Sequence, residues 1–149
     1  MVYSNCKVAG AFIFVAVAQF VMGMIVSEAL YPGYSTSGNY ISDLGVGASS
    51  MIFNSSMFLL GLLLLIGAYF LQRAFRFEML TAMLILTAIG AMGVGVFTET
   101  YGVLHFVASL ITFLFGSFLK LERHVLTAVL ITTMFANTGN YGLPLVSFA

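Results

Sequence analysis

Long apolar runs separated by short charged turns constrain this chain more than any other feature of its sequence. The apolar runs cover residues 8–30, 51–72, 79–97, 103–119 and 125–147. A helix needs about 20 mostly apolar residues to cross the hydrocarbon core of a bilayer. Backbone N–H and C=O groups must be paired inside the membrane, so segments of this kind span it as helices. The pattern therefore predicts a single all-α membrane domain over residues 1–149, a transmembrane bundle of about five helices.

The composition excludes the other broad classes of protein. Hydrophobic residues make up 61% of the chain and charged residues only 7%, whereas a soluble domain has about 25% charged residues. Intrinsic disorder needs low hydrophobicity and high charge. Nucleic-acid binding needs a basic surface, but the formal net charge here is zero. The sequence thus predicts the lipid bilayer as a partner and excludes nucleic acid.

The basic residues predict the orientation of the bundle. Lys7 precedes the first run, and Arg73 and Arg76 follow the second. Lys120 and Arg123 follow the fourth. With five spans, all of them fall on one side, which the positive-inside rule makes the cytoplasmic side. We expect a multi-pass protein of the cell membrane with a cytoplasmic amino end and an external carboxyl end. The first run exceeds the roughly 7–15-residue core of a signal peptide, so it is expected to stay as an anchor.

Residues 31–50 differ from the apolar runs because Gly, Ser, Tyr and Asn dominate them. Their interspersed aromatic and aliphatic side chains have reason to insert at the membrane interface. We expect a re-entrant or surface-lying loop folded over the outer mouth of the bundle, with a flexible tether as the alternative. Ser42 and Asp43 can cap a short helical turn. Asp43 is equally a candidate functional carboxylate, and both interpretations stay open.

Further polar residues are predicted at the same membrane level. Glu28 lies in the last turn of the first span, and Asn54 lies about one turn inside the second. Glu99 ends the third span, and His105 lies in the first turns of the fourth. Ionisable groups near spans usually face the bundle interior or a wet cavity. We therefore predict an outward-facing polar cup that binds a lipid headgroup or a small polar ligand. Its candidate ligand-binding residues are Glu28, Tyr34, Ser42, Asp43, Asn54, Glu99 and His105.

The chemistry of this cup stays open at the level of sequence. Burial or a neighbouring carboxylate raises a carboxyl pKa, and His105 is a candidate base or proton shuttle. Carboxylates also bind hard cations, whereas a zinc site is not expected because His124 falls on the opposite side. The sequence contains no nucleophile elbow, C-x-x-C or phosphate loop. No catalytic residue, metal or cofactor is assigned. Each polar residue also has a structural interpretation as a cap or solvated turn.

Small residues on the third run predict where helices meet. Ala91 and Gly95 are four residues apart, with Gly90 and Gly93 close by. Small side chains let helix backbones approach each other in lipid. We expect this surface to pack against another helix of the bundle.

Three segments resemble a known membrane family of archaea and bacteria, domain of unknown function 998. They are EALYPGYSTSGNYISDLGVG at 28–47, IFNSSMFLLG at 52–61 and FTETYGVLHFVAS at 97–109. The family pattern has a PGY–ISDLG outer loop, then FN, then PET–G–H. It falls here on Pro32, Gly33, Tyr34, Ile41, Ser42, Asp43, Leu44, Gly45, Phe53, Asn54, Glu99, Thr100, Gly102 and His105. The similarity covers roughly residues 8–118 and implies a helical membrane protein without an established activity. Thr98 stands where the family often has Pro.

The tail over residues 126–149 is similar to a different group of proteins. It reads LTAVLITTMFANTGNYGLPLVSFA, which resembles a stretch of the auxin efflux carrier permeases where N-T-G-N-x-G-L-P breaks a helix. Gly139 and Pro144 favour a break on local grounds, and an unwound segment at 137–142 needs a cavity or protein beside it. We expect a terminal helix with a bend, or else a fragment or fusion.

Three functions follow from these patterns. The first is the ligand-binding cup, with or without catalysis. The second is a permease or transport component that uses the broken helix of the tail. The third is a structural membrane assembly subunit, in which the polar residues only cap helices. A homo-oligomer or a partner membrane subunit is compatible with each of them.

Overall fold

The computed structural model describes residues 2–118, with side chains from residue 3 to residue 111. Its helices are α1 (Val2–Leu30), α2 (Ser50–Phe75), α3 (Glu78–Val96) and α4 (Val103–Phe118). Short 3-10 turns lie at Ile41–Gly45, Gly47–Ser49 and Glu99–Tyr101. This part of the chain contains no strand, so the prediction of an all-α helical membrane bundle is confirmed.

Within residues 2–118, three helical segments are long and apolar enough to cross a membrane. They are Tyr3–Leu30, Gly47–Phe75 and Glu78–Val96. The described part of α4 has 16 residues. The fifth predicted span, at 125–147, lies outside the described residues together with Lys120, Arg123 and the tail motif. The count of five spans therefore stays a prediction.

Each helix packs against the next one along the chain, and small residues form the closest contacts. A Cβ atom added at Gly23 of α1 would lie 2.6 Å from the Cβ of Ser56 in α2. Towards the other end of the same pair, a Cβ at Gly67 would lie 3.5 Å from the Ala9 carbonyl oxygen. The start of α2 thus lies beside the end of α1, which makes the two helices antiparallel.

The predicted packing surface of the third span is confirmed at its glycines. A Cβ added at Gly95 would lie 2.7 Å from the carbonyl oxygen of Asn54, on the backbone of α2. A Cβ added at Gly93 would lie 2.9 Å from the Cβ of Ala108 in α4. Neither position has room for a larger side chain unless a helix moves. Small residues therefore place α3 directly between its two neighbours.

Among the described side chains, two hydrogen bonds connect one helix to the next. The Gln19 side chain donates from Nε2 to the Ser56 carbonyl oxygen at 3.0 Å, across the α1–α2 contact. Thr81 donates from Oγ1 to Gln72 Oε1 at 2.7 Å, where α2 turns into α3. Glutamine and threonine side chains hydrogen-bond between helices in this way because lipid offers no alternative partner. Gln19 was not singled out from the sequence.

In the described part of the chain, the charged residues divide between the two ends of the bundle. Lys7 lies near the start of α1, and Arg73 and Arg76 lie where α2 ends. We call this the basic end, and it also carries Glu78. The opposite end carries the 31–49 and 97–102 connections, and we call it the acidic end. Its charged residues in the described part are Glu28, Asp43 and Glu99.

Candidate functional site

The 31–49 connection is folded onto the helices at the acidic end, as predicted from its composition. Leu44 is fully buried and Ile41 is 5% exposed, and both belong to the same apolar core as Phe20 and Phe53. Tyr31 packs against this core, and its ring meets the ring of Tyr34 edge-on at 5.7 Å. Burying apolar side chains fixes the position of the connection. A flexible tether is therefore the wrong description of this segment.

Asp43 caps the short Ile41–Gly45 turn. Its Oδ2 atom accepts a hydrogen bond from the backbone N–H of Tyr40 at 3.0 Å. The same atom accepts another from the Nδ2 group of Asn39 at 3.1 Å. This is the structural role proposed for Asp43 from the sequence. The side chain is only half-buried, so the cap leaves part of it open to the surface.

Two side chains hold this turn against α2 through its backbone carbonyl groups. Asn54 donates from Nδ2 to the Gly45 carbonyl oxygen at 3.0 Å, and Ser49 donates from Oγ to the Leu44 carbonyl oxygen at 2.8 Å. Gly45 is itself tightly enclosed, since an added Cβ would lie 2.8 Å from Asn54 Oδ1 and 3.4 Å from a ring carbon of Phe53. Asn54 thus lies beside this connection, and its hydrogen bond positions the turn that carries Asp43.

His105 holds the second connection, residues 97–102, through one of its backbone carbonyl groups. Its Nδ1 atom lies 2.7 Å from the carbonyl oxygen of Phe97, at the end of α3. Because a carbonyl oxygen can only accept, Nδ1 carries the hydrogen of this bond. The bond closes the short segment that carries Glu99 and Thr100. His105 is only 8% exposed, so its ring is fixed by packing as well as by the hydrogen bond.

Two buried polar side-chain atoms near these connections have no hydrogen-bond partner within residues 2–118. They are Asn54 Oδ1 and His105 Nε2. Buried polar atoms are almost always paired, and an unpaired one costs roughly 1–3 kcal/mol.

The two connections meet around a cleft at the acidic end of the bundle. Its volume is about 300 Å³, and its lining residues are Tyr31, Asp43, Val46, Glu99 and Thr100. Asp43 and Glu99 are distant in sequence and belong to different connections, yet they line the same cleft. This volume falls at the lower end of the range for small-molecule sites, roughly 300–1,000 Å³.

The pKa of Tyr34 is affected by its burial and by the negative charge of this region. Burial raises the pKa of its phenol above the usual value, and the charges of Glu28 and Asp43 raise it further. Both carboxylates therefore lie close enough to Tyr34 to disfavour its ionised form. Glu28 is half-buried in the last turn of α1.

The seven predicted residues thus fall into distinct positions. Asp43 and Glu99 line the cleft, Tyr34 and Glu28 lie in the same electrostatic neighbourhood, and Ser42 is buried inside the Ile41–Gly45 turn. The hydrogen bonds of Asn54 and His105 go to backbone carbonyl groups. Tyr31, Val46 and Thr100 line the cleft without having been predicted. Two sequence features could have indicated these lining residues. Tyr31 lies between Glu28 and Pro32, and Thr100 lies beside Glu99.

The donor set of the cleft favours a particular chemistry. Two carboxylates accept hydrogen bonds and attract positive charge, and a threonine hydroxyl both donates and accepts. Within the described part of the chain, no group of three or more His, Cys, Asp or Glu side chains is arranged to hold a metal ion. The arrangement fits a polar ligand that donates hydrogen bonds.

Comparison with known proteins places the chain in a family. The sequence profile of the DUF998 family, described as a protein of unknown function, matches residues 14–139. This match extends the resemblance from residue 118 to residue 139. No curated protein and no solved structure matches the chain, and the similarity of the tail to auxin efflux carriers finds no support. Three of the described helices are long and apolar enough to span a membrane. Because the family profile also covers most of the sequence, the chain is a multi-pass membrane protein of the DUF998 family.

Proposed function

We propose that the protein binds a lipid headgroup or a small polar ligand in the cleft at the acidic end of the bundle. One observation carries this proposal: Asp43 and Glu99 come from separate connections and line the same cleft. The cleft therefore presents negative charge from two segments, which attracts a group that is positively charged or donates hydrogen bonds. A purely structural role for both would not require them to share a cavity.

The hydrogen bonds that hold the two connections in place support the same proposal. Asn54 and His105 each hold one of the two connections through a backbone carbonyl group. Their hydrogen bonds restrict the positions of the segments that carry Asp43 and Glu99. Binding sites gain affinity when their polar groups are held in place before the ligand arrives.

We propose that the cleft opens on the external face of the cell membrane. Lys7, Arg73 and Arg76 cluster at the basic end, which the positive-inside rule assigns to the cytoplasm. The acidic end is then external, at the level of the lipid headgroups. A headgroup of the outer leaflet has direct access to a cleft in that position.

Native mass spectrometry of the protein released from lipid nanodiscs tests the proposal. We expect an adduct of defined mass on the parent protein and a weaker one on Glu99→Gln and Asp43→Asn. Glu78→Gln is the matched control, because it removes one carboxylate at the basic end, and it should keep the adduct. Equal adducts on all four proteins, or none on any of them, would contradict the proposal. Equal thermal unfolding temperatures establish that each variant is folded.

A further inference from the structure

We infer that the ligand presents a primary ammonium group to the cleft, either as the end of a zwitterionic lipid headgroup or as a free primary amine. This inference rests on the proposed function and narrows it to one chemical class. The carrying observation is the lining of the cleft, in which two carboxylates, a tyrosine and a threonine lie together. Each of them interacts favourably with an ammonium group.

The charge of the acidic end selects against an anionic ligand. The sequence contains no Lys or Arg between residues 8 and 72, or between residues 77 and 119. The described residues at the acidic end therefore provide no cation to neutralise a phosphate or carboxylate. A ligand whose charge enters the cleft must be positive, since Asp43 and Glu99 would repel a negative group.

The carboxylates also distinguish a primary ammonium from a quaternary one. A primary ammonium has three N–H donors, and a carboxylate has only acceptors when it is ionised. Charge-assisted N–H···O bonds are roughly twice as strong as neutral ones. A quaternary ammonium has no N–H donor and depends on aromatic contacts, but Tyr31 is the only aromatic residue that lines the cleft in the described part.

Native mass spectrometry with defined short-chain lipids tests this inference on the full chain in detergent micelles. The probes are dihexanoyl phosphatidylethanolamine, which ends in a primary ammonium, phosphatidylcholine, which ends in a quaternary one, and anionic phosphatidylglycerol. We expect phosphatidylethanolamine to bind about tenfold more tightly than either of the others. We expect Glu99→Gln to reduce that preference several-fold, and the Asp43→Asn/Glu99→Gln double variant to abolish it. Glu78→Gln should leave the preference unchanged.

Free ethanolamine distinguishes the two sources of the ammonium group. If ethanolamine alone displaces the lipid adduct at low concentration, the ligand is a free amine. If only the lipid forms the adduct, the ligand is a headgroup, and both results support the inference. Equal binding of all three lipids, or tighter binding of phosphatidylglycerol, overturns it. If the lipid adduct in that case is lost in the Asp43→Asn/Glu99→Gln double variant, the lipid does bind in the cleft. The proposed function then holds, and only the preference for a primary amine is wrong. If no probe binds at all, both fail.

Discussion

His105 Nδ1 lies 2.7 Å from the carbonyl oxygen of Phe97, so a side chain at the start of α4 closes the connection that follows α3. We expect His105→Ala to lower the free energy of unfolding by about 1–3 kcal/mol, because the Phe97 carbonyl loses its donor and a buried ring is removed. His105→Asn should recover part of this loss, since its amide can donate in place of Nδ1. Unfolding by sodium dodecyl sulfate in mixed micelles measures both effects.

The same variants separate positioning from simple stability. If His105 positions Glu99, ligand affinity should fall in His105→Ala and return in His105→Asn. Thr81→Val serves as the comparison, because it removes a part-buried side-chain hydrogen bond, to Gln72, at the basic end. A loss of affinity in Thr81→Val as large as that in His105→Ala would mean that any destabilisation weakens binding.

Gly45 packs so closely against Asn54 that an added methyl group has no room. We expect Gly45→Ala to destabilise the protein by about 1–3 kcal/mol, because its Cβ would lie 2.8 Å from Asn54 Oδ1. Gly10→Ala is the matched control, since nothing lies within 4 Å of a Cβ at that position in α1. Gly10→Ala should be neutral or slightly stabilising, as alanine favours helix more than glycine.

A double-mutant cycle tests the proposed cause of the Gly45 effect. On an Asn54→Ala background the obstructing amide is gone, so Gly45→Ala should cost clearly less than in the parent protein. Equal costs on the two backgrounds would show that the ring of Phe53 or the backbone, and not Asn54, limits the space.

The helices and the folded connection could be predicted from the sequence, because each depends on local composition. Apolar runs long enough to span a bilayer form helices whatever lies beside them. Asp43 could be predicted as a cap because a carboxylate bonds to nearby backbone N–H groups, and Tyr40 N–H is its partner. Gly95 could be predicted as a contact because small residues mark close helix packing.

The remaining contacts could not be predicted because their partners are backbone groups of distant segments. Nothing in the sequence pattern indicates that Asn54 donates to the Gly45 carbonyl or that Gln19 donates to the Ser56 carbonyl. Such bonds depend on how each helix is rotated about its axis and on where the connection folds back. For the same reason, the sequence predicted that Asn54 and His105 lie near the outer end of the bundle. It could not show whether they line the cleft or hold in place the connections that do.

Gln19 offers a test of how much one interhelical hydrogen bond stabilises the bundle. We expect Gln19→Leu to lower the free energy of unfolding by roughly 0.5–1.5 kcal/mol, the range of interhelical hydrogen bonds in membranes. Met22→Leu is the control, because Met22 lies on an exposed face of the same helix and should change stability little. Unfolding in mixed micelles again gives the values, and an increase in stability for Gln19→Leu would contradict a stabilising role.

Tyr34 should titrate above the ordinary range of tyrosine. Burial comes first among the causes of its raised pKa, and the charges of Glu28 and Asp43 follow. Since the folded-state pKa exceeds the unfolded one, the folded protein holds this proton more tightly. The corresponding contribution to stability is complete below the unfolded pKa of about 10 and is lost as the pH rises through the folded value. Phenolate absorbance of the parent minus that of Tyr34→Phe isolates this titration.

Glu28→Gln tests one of those causes without altering the size of the side chain. Removing the charge should lower the pKa of Tyr34 towards its ordinary value, because less negative charge opposes the phenolate. Glu78→Gln, at the basic end, should leave the titration in place. An unchanged Tyr34 titration in Glu28→Gln would mean that burial and the charge of Asp43 account for the shift without Glu28.

Cysteine labelling in intact cells tests the proposed orientation. Cys6, at the basic end, is the only cysteine in the sequence, so replacing it leaves a background without other thiols. With Cys6→Ser as background, Thr36→Cys places a thiol on an exposed residue of the 31–49 connection, and Ser4→Cys places one on an exposed residue near the start of α1. A membrane-impermeant maleimide should label the Thr36→Cys protein in intact cells and the Ser4→Cys protein only after permeabilisation. The reverse pattern would put the cleft on the cytoplasmic face, where its ligand would come from the inner leaflet or the cytosol.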